Sequence, residues 1–167
     1  MSSPPVISRQ EAILMNTEPG RIFLPETEYK KLLQDASSEL PNEACGLIAG
    51  EKAGENIYIR KVYHLKNIDQ SSEHFRMDPK EQLKAVTDMR DNGLIPLGNW
   101  HSHPATPSRP SQEDIRYAYD RNALYMILSL KDDFPVLNAF HIEDGAVRKE
   151  ILELTEGELD DEQSGEL

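Results

Sequence analysis

The sequence has little of what marks a secreted, membrane-spanning or nucleic-acid-binding protein. Its 167 residues include one cysteine, which excludes an internal disulfide. No apolar run approaches the roughly 18–20 residues of a transmembrane helix. Residue 1 does not begin a basic and apolar leader, so we expect a cytoplasmic protein without a membrane partner. The formal net charge is −12 with no basic stripe, which argues against nucleic acid as a partner.

Length and charge distribution predict one folded domain between two polar ends. A chain of 167 residues can bury roughly two thirds of its unfolded surface in a single core. Residues 1–20 are interpreted as an N-terminal extension, and residues 21–154 as the domain. Residues 155–167 contain six of the 30 acidic residues and only two leucines, so we expect a disordered acidic tail there.

Apolar periodicity and turn residues predict alternating strands and helices. We expect helices over residues 25–40, from Asp78-Pro79 to about residue 91, and over 111–119. In the second helix the apolar residues Leu83, Val86 and Met89 recur at helical spacing. Strands are expected over residues 22–24, 44–49, 56–65, 95–103, 124–130, 136–142 and 147–154. This order predicts an α/β fold with a mainly antiparallel, mixed β-sheet sandwiched by helices.

Possible metal ligands are concentrated in residues 101–114. His101 and His103 end a mostly apolar stretch, and side chains at i and i+2 of a strand project from the same face. A catalytic zinc ion typically takes three protein ligands and leaves a fourth position open, and these two histidines with Asp114 can supply three. A His-x-His pair taken alone is more often two half-buried polar residues than a metal site. The other histidines, His64, His74 and His141, lack ligand spacing.

Ser111 and Asp114 also have an ordinary structural interpretation. A serine followed three residues later by an acidic residue, just before an apolar stretch, is typical of a helix N-cap. The two interpretations are compatible, because a cap at Ser111 would hold Asp114 on the first helical turn. The prolines at 104, 107 and 110 stiffen the loop that would fold this turn against the end of the strand.

Together with Glu43, these residues resemble the signature of a metalloprotease family. Glu43 is followed by His101-Ser102-His103-Pro104 and then by Ser111-x-x-Asp114. Seven residues, Pro104 to Pro110, separate His103 from Ser111. This arrangement is similar to the signature of the JAMM, or MPN-plus, family. The resemblance extends over about residues 24–154. It includes the segment around Glu43 (residues 40–50), the spacing of Asn67, Phe75 and Asp78-Pro79, and the strand at 125–130.

The resemblance implies a fold, a metal and a role for each site residue. The fold is the α/β/α sandwich of JAMM and MPN domains, which is similar to that of cytidine deaminases. One zinc ion would be held by His101, His103 and Asp114. Glu43 would be the general base, and Ser111 would donate to the developing oxyanion. Ser102 is expected on the opposite strand face, where it would brace the site.

The resemblance also implies a substrate class. Small prokaryotic members hydrolyse the amide bond after the C-terminal Gly-Gly of a ubiquitin-like sulfur carrier protein, either trimming an extension or releasing an amino acid. Two alternatives within the family are a deubiquitinase-like isopeptidase and a non-catalytic MPN scaffold, and the presence of all five site residues argues against the scaffold. A thiol hydrolase using Cys45 is a further alternative. Both a monomer and a homodimer are compatible with the sequence.

Overall fold

The computed structural model describes residues 20–156, which form eight strands and three helices. In chain order these are β1 (Arg21–Pro25), α1 (Glu26–Ser38), β2 (Cys45–Ala53), β3 (Asn56–Leu65), α2 (Pro79–Asp91), β4 (Ile95–His103), α3 (Gln112–Arg116), β5 (Leu124–Ser129), β6 (Val136–Glu143), β7 (Ala146–Lys149) and β8 (Ile151–Thr155). Residues 1–19 and 157–167 lie outside the described residues, so the predicted extension and acidic tail stay predictions. Thr155, which we assigned to the tail, is the last residue of β8.

All eight strands belong to one mixed sheet with the order β7-β6-β5-β4-β2-β3-β1-β8. Three of its seven pairings are parallel (β1–β3, β1–β8 and β4–β5) and four are antiparallel, which confirms the mainly antiparallel sheet. The sheet is curled, because its two edge strands, β7 and β8, are separated in the chain only by Glu150.

The prediction of one strand over residues 147–154 is wrong. β7 pairs with β6, whereas β8 pairs with β1 at the opposite edge of the sheet. The Glu150 backbone N–H still donates to the Ala139 carbonyl of β6 at 2.8 Å, and the next residue, Ile151, already pairs with Arg21 of β1. Because the curl brings both edges together, one residue is enough for the chain to change partners.

Two helices pack on opposite faces of the sheet. Leu32 and Ala36 of α1 join one apolar cluster, and Ala85 and Met89 of α2 join another. Successive residues of a strand point to opposite faces, and in β3 Val62 belongs to the first cluster and Tyr63 to the second. The predicted packing of helices on both faces of the sheet is therefore confirmed.

No helix among the described residues is long and apolar enough to cross a membrane.

The buried face of α2 differs from the one that its apolar spacing indicated. Met89 is buried, but Leu83 is 69% exposed and Val86 is 44% exposed. Ala85 faces the sheet in their place, since a small side chain lets the helix approach the strands closely.

Trp100 fixes the orientation of the strand that carries the two histidines. Its indole is fully buried in the α1-side cluster, and its Nε1 donates to the Tyr63 carbonyl at 2.9 Å. The indole passes over Gly46, where a Cβ atom would lie 2.4 Å from Nε1. With Trp100 held on this face, His101 must point to the other one.

Candidate metal centre

His101 and His103 lie at the carboxyl end of β4, near the middle of the sheet. β4 is paired with β2 on one side and with β5 on the other, and both histidines are buried. Ser102 points the opposite way, as predicted, and its hydroxyl accepts the Ala44 N–H at 2.8 Å. Ser102 therefore braces the residue next to Glu43.

Asp114 is brought to the histidines by the helix cap at Ser111. The Ser111 hydroxyl accepts the Asp114 N–H at 3.0 Å, and Asp114 Oδ2 accepts the Ser111 N–H at 2.8 Å. This reciprocal pair is a capping box, so the predicted cap is confirmed, and it is compatible with Asp114 as a ligand. The helix is shorter than the predicted 111–119, since α3 ends at Arg116.

Three potential ligand atoms converge on one point. His101 Nε2 lies 3.0 Å from His103 Nε2, and Asp114 Oδ2 lies 3.2 Å and 3.3 Å from these two nitrogens. A tetrahedral zinc ion with bonds of about 2.0–2.1 Å separates its ligand atoms by about 3.3–3.4 Å. The triangle therefore has the size that such an ion requires, and the three residues fit a metal.

Hydrogen bonds and burial prepare these side chains for a cation. His103 Nδ1 donates to the Pro107 carbonyl at 2.8 Å, which leaves the Nε2 lone pair directed at the cluster when the ring is neutral. Burial lowers the pKa of His101. Burial raises the pKa of Asp114, but hydrogen bonds with His101 and His103 outweigh it and hold that pKa well below its usual range. Asp114 is therefore ionised. Two imidazole nitrogens and a carboxylate oxygen suit zinc and other divalent ions.

Glu43 lies beside this triangle and is only 4% exposed. Its carboxylate oxygen is within 4.8 Å of the ligand nitrogens of both histidines, so Glu43, His101 and His103 form a second possible metal-binding set. Asp114 Oδ2 is closer to both nitrogens, which makes Asp114 the better third ligand. Burial raises the pKa of Glu43 to about 8, close to the value that suits a general base at neutral pH.

The backbone of Glu43 is fixed by the loop between β3 and α2, residues 66–78. The Glu43 N–H donates to the Ser71 carbonyl at 2.8 Å, and the Glu43 carbonyl accepts Asn67 Nδ2 at 3.0 Å. Asn67 is buried and also donates to the His74 carbonyl, while its Oδ1 accepts the N–H groups of Asp69 and Arg76. The sequence resemblance included Asn67 but assigned it no role. Its signal would have been a polar side chain two residues after the end of an apolar strand.

Cys45 cannot act as a nucleophile in this structure. Its side chain is fully buried, and its thiol lies 3.6 Å from the Leu65 carbonyl. Burial raises the pKa of Cys45 to about 12, so almost no thiolate is present at neutral pH. The thiol-hydrolase alternative is therefore wrong.

The 66–78 loop and α3 meet across a cavity of about 240 Å³ beside the triangle. His74 Nδ1 of the loop lies 2.5 Å from Glu113 Oε2 of α3 and bridges the two segments. Phe75 stacks on the His101 ring with a centroid distance of 4.6 Å. These contacts join residues 39 and 26 positions apart in the sequence, so spacing gave no signal for them.

Comparison with known proteins places the chain among bacterial and archaeal peptidases. The family described as prokaryotic homologs of the JAB domain (Prok-JAB) matches residues 25–143. The CysO-cysteine peptidase of Mycobacterium tuberculosis is 33% identical over 128 residues, 75% of this chain and 85% of that protein. The desampylase of Pyrococcus furiosus is 30% identical over 113 residues, 68% of this chain and 77% of that protein. The solution structure of protein DSY2949 from Desulfitobacterium hafniense superposes with a TM-score of 0.75 at 49% identity, covering 81% of this chain and 93% of that one.

Proposed function

The chain belongs to the Prok-JAB family and is a peptidase, and we propose that it uses one zinc ion to hydrolyse the amide bond after the C-terminal Gly-Gly of a ubiquitin-like sulfur carrier protein. The observation that carries this proposal is the convergence of His101 Nε2, His103 Nε2 and Asp114 Oδ2 beside a buried glutamate. The cytoplasmic location, the absence of a nucleic-acid partner and the homodimer alternative stay predictions.

In this proposal His101, His103 and Asp114 hold the zinc ion. When bound, zinc supplies a Lewis acid that makes water nucleophilic at neutral pH and polarises the substrate carbonyl. The capping box orients Asp114, and the Pro107 carbonyl orients His103. Such supporting hydrogen bonds keep ligands in place and raise their basicity.

Glu43 is the proposed general base. It takes a proton from the attacking water and then delivers that proton to the leaving amine. Its raised pKa, about 8, lets the carboxyl group hold a proton between these two steps. The positive charge of the ion favours the carboxylate form at the start of the reaction.

Ser111 is the proposed donor to the carbonyl oxygen of the substrate. Its oxygen already accepts the Asp114 N–H, but a hydroxyl group has one proton to donate in addition to its two lone pairs. Ser111 is exposed, so this proton is accessible to a substrate. Charge that develops on the carbonyl oxygen is thus met by a donor already fixed in place.

The choice of substrate rests on the relatives. The name of the mycobacterial relative specifies CysO-cysteine, and that of the archaeal relative specifies removal of a protein modifier. Isopeptidase cleavage of modifier conjugates is our second candidate, because the name of the archaeal relative, desampylase, favours it. The complete set of site residues argues against a non-catalytic scaffold.

Mass spectrometry tests the proposal. Zinc-loaded protein is incubated with ubiquitin-like sulfur carriers that bear C-terminal extensions, and with carriers linked to a lysine side chain. We expect a mass loss that corresponds to everything beyond Gly-Gly, its abolition by a chelator and its return with zinc. Treatment with a thiol-alkylating reagent should have no effect. Intact masses for every carrier, or cleavage that a chelator does not change, would overturn the proposal.

A further inference from the structure

The cavity beside the triangle lies where a substrate residue next to the cleaved bond must pass. Two of the proposed zinc ligands, His101 and Asp114, form part of its wall. The remaining wall comes from the 66–78 loop, the strands β4 to β6, and α3 with Pro110 before it and Tyr117 after it. Its volume, about 240 Å³, is enough for one long side chain.

The wall of this cavity is acidic and aromatic. Glu73 and Glu113 line it together with the rings of Phe75, Tyr117 and Tyr125. None of the lining residues, all of them within the described range 20–156, is lysine or arginine. Carboxylates and aromatic ring faces both attract cations, and apolar walls accept the aliphatic part of a long basic side chain.

The two glutamates differ in their present partners. Glu113 is paired with His74, whereas the Glu73 side chain has no hydrogen bond or ion pair with any residue that the structure describes. Glu73 is exposed, so its carboxylate is accessible to a cation that enters from solvent.

Next to the cleaved bond, only the leaving side of the substrate carries a side chain that could occupy the cavity. If the bond cut follows Gly-Gly, as proposed above, the two residues before it have none to fill the cavity. The first residue after the bond does have one.

We propose, on the basis of the proposed function, that this cavity is a leaving-group subsite that selects a lysine or arginine as the first residue after the cleaved bond. Glu73 and Glu113 are the specificity-determining residues. The rings of Phe75, Tyr117 and Tyr125 hold the aliphatic stem of that residue, and the two carboxylates face its charge.

The test measures kcat/KM on carriers that end in Gly-Gly followed by one varied residue and a neutral tripeptide. The varied residue is Lys, Gln, Met or Glu. We expect Lys to be preferred over Gln by about tenfold, and Glu to be the poorest substrate. In Glu73→Gln and Glu113→Gln the Lys/Gln ratio should fall towards one, with the largest drop in the double variant.

Glu55→Gln is the matched control. Glu55 is an exposed residue in the β2–β3 turn and is not part of the cavity wall, so this variant removes one negative charge elsewhere. Its Lys/Gln ratio should equal that of the unmodified protein. A ratio near one in the unmodified protein, or a ratio unchanged in the double variant, would overturn the subsite. Absence of cleavage for all four carriers would overturn the proposed function itself.

Discussion

The two sides of the site are held by different parts of the fold. His101 and His103 lie on a strand that is hydrogen-bonded to neighbours on both sides, and they are 2% and 5% exposed. Across the cavity, Glu73 and His74 are exposed on a loop, and Glu113 is half-buried on a five-residue helix. The sheet therefore fixes the two histidines, while the short helix holds Asp114 and, together with the loop, presents the groups that we propose meet the substrate. Glu43 connects the two, because it precedes β2 and its backbone is bound by the 66–78 loop.

Glu43→Gln breaks the site at this connection and should have the largest effect. The amide keeps the size of the side chain but cannot accept a proton, so we expect kcat to fall by about 10²–10⁴-fold. The zinc content should not change, because the ligand strand is untouched. Steady-state kinetics together with metal analysis check this. A variant with near-normal kcat would show that Glu43 is not the base.

Ser111→Ala tests whether the cap residue also acts on the substrate. Loss of one preorganised donor typically costs about 10²–10³-fold in kcat. Loss of the cap alone costs about 1 kcal/mol of stability. Ser111→Thr keeps both the acceptor and the donor, so it should retain most of the activity. If the activity of Ser111→Ala falls only in proportion to its zinc content, Ser111 is a structural cap and not a donor.

Asn67→Ala tests how far the 66–78 loop holds Glu43 in place. The variant loses hydrogen bonds to Glu43, His74, Asp69 and Arg76, so we expect a loss of about 1–3 kcal/mol in the free energy of unfolding. Because the backbone of Glu43 loosens, kcat should also fall by about tenfold with zinc still bound. Denaturant unfolding and kinetics measure the two effects. Normal kcat at reduced stability would confine Asn67 to a structural role.

The raised pKa of Glu43 predicts a pH dependence of stability in the chelated protein. Between pH 4.5 and about 8 the folded protein retains a proton on Glu43 that the unfolded chain has released. Stability should therefore fall as the pH rises through this window, by about 1 kcal/mol or more, which is about 2–4 °C or more in Tm. Glu43→Gln removes this contribution, so its Tm should exceed that of the unmodified protein at the alkaline end. Parallel Tm curves for the two proteins would contradict the assignment.

The sequence pattern correctly predicted the features that depend only on neighbouring residues. The strand ending at His103 and the cap at Ser111 follow from alternation and capping chemistry over a few residues, and both lie where they were predicted. The expected face of Ser102 was also confirmed, since the two-residue period of a strand leaves no alternative.

Features that depend on distant contacts could not be predicted in this way. The break at Glu150 exists because the curled sheet brings its two edges together, and no residue near 150 signals it. The exposure of Leu83 depends on which face of α2 meets the sheet, which helical spacing alone does not settle. The pairing of His74 with Glu113 joins two segments that only the folded sheet brings together.

The zinc content of three proteins tests most directly whether Asp114, and not Glu43, is the third ligand. The structure offers two overlapping sets, His101 and His103 with either Asp114 or Glu43. The measurement is native mass spectrometry of the unmodified protein, Glu43→Gln and Asp114→Ala after zinc loading and desalting. We predict one zinc ion in the first two and none in Asp114→Ala. Retention of zinc by Asp114→Ala together with its loss from Glu43→Gln would contradict this assignment and make Glu43 the ligand.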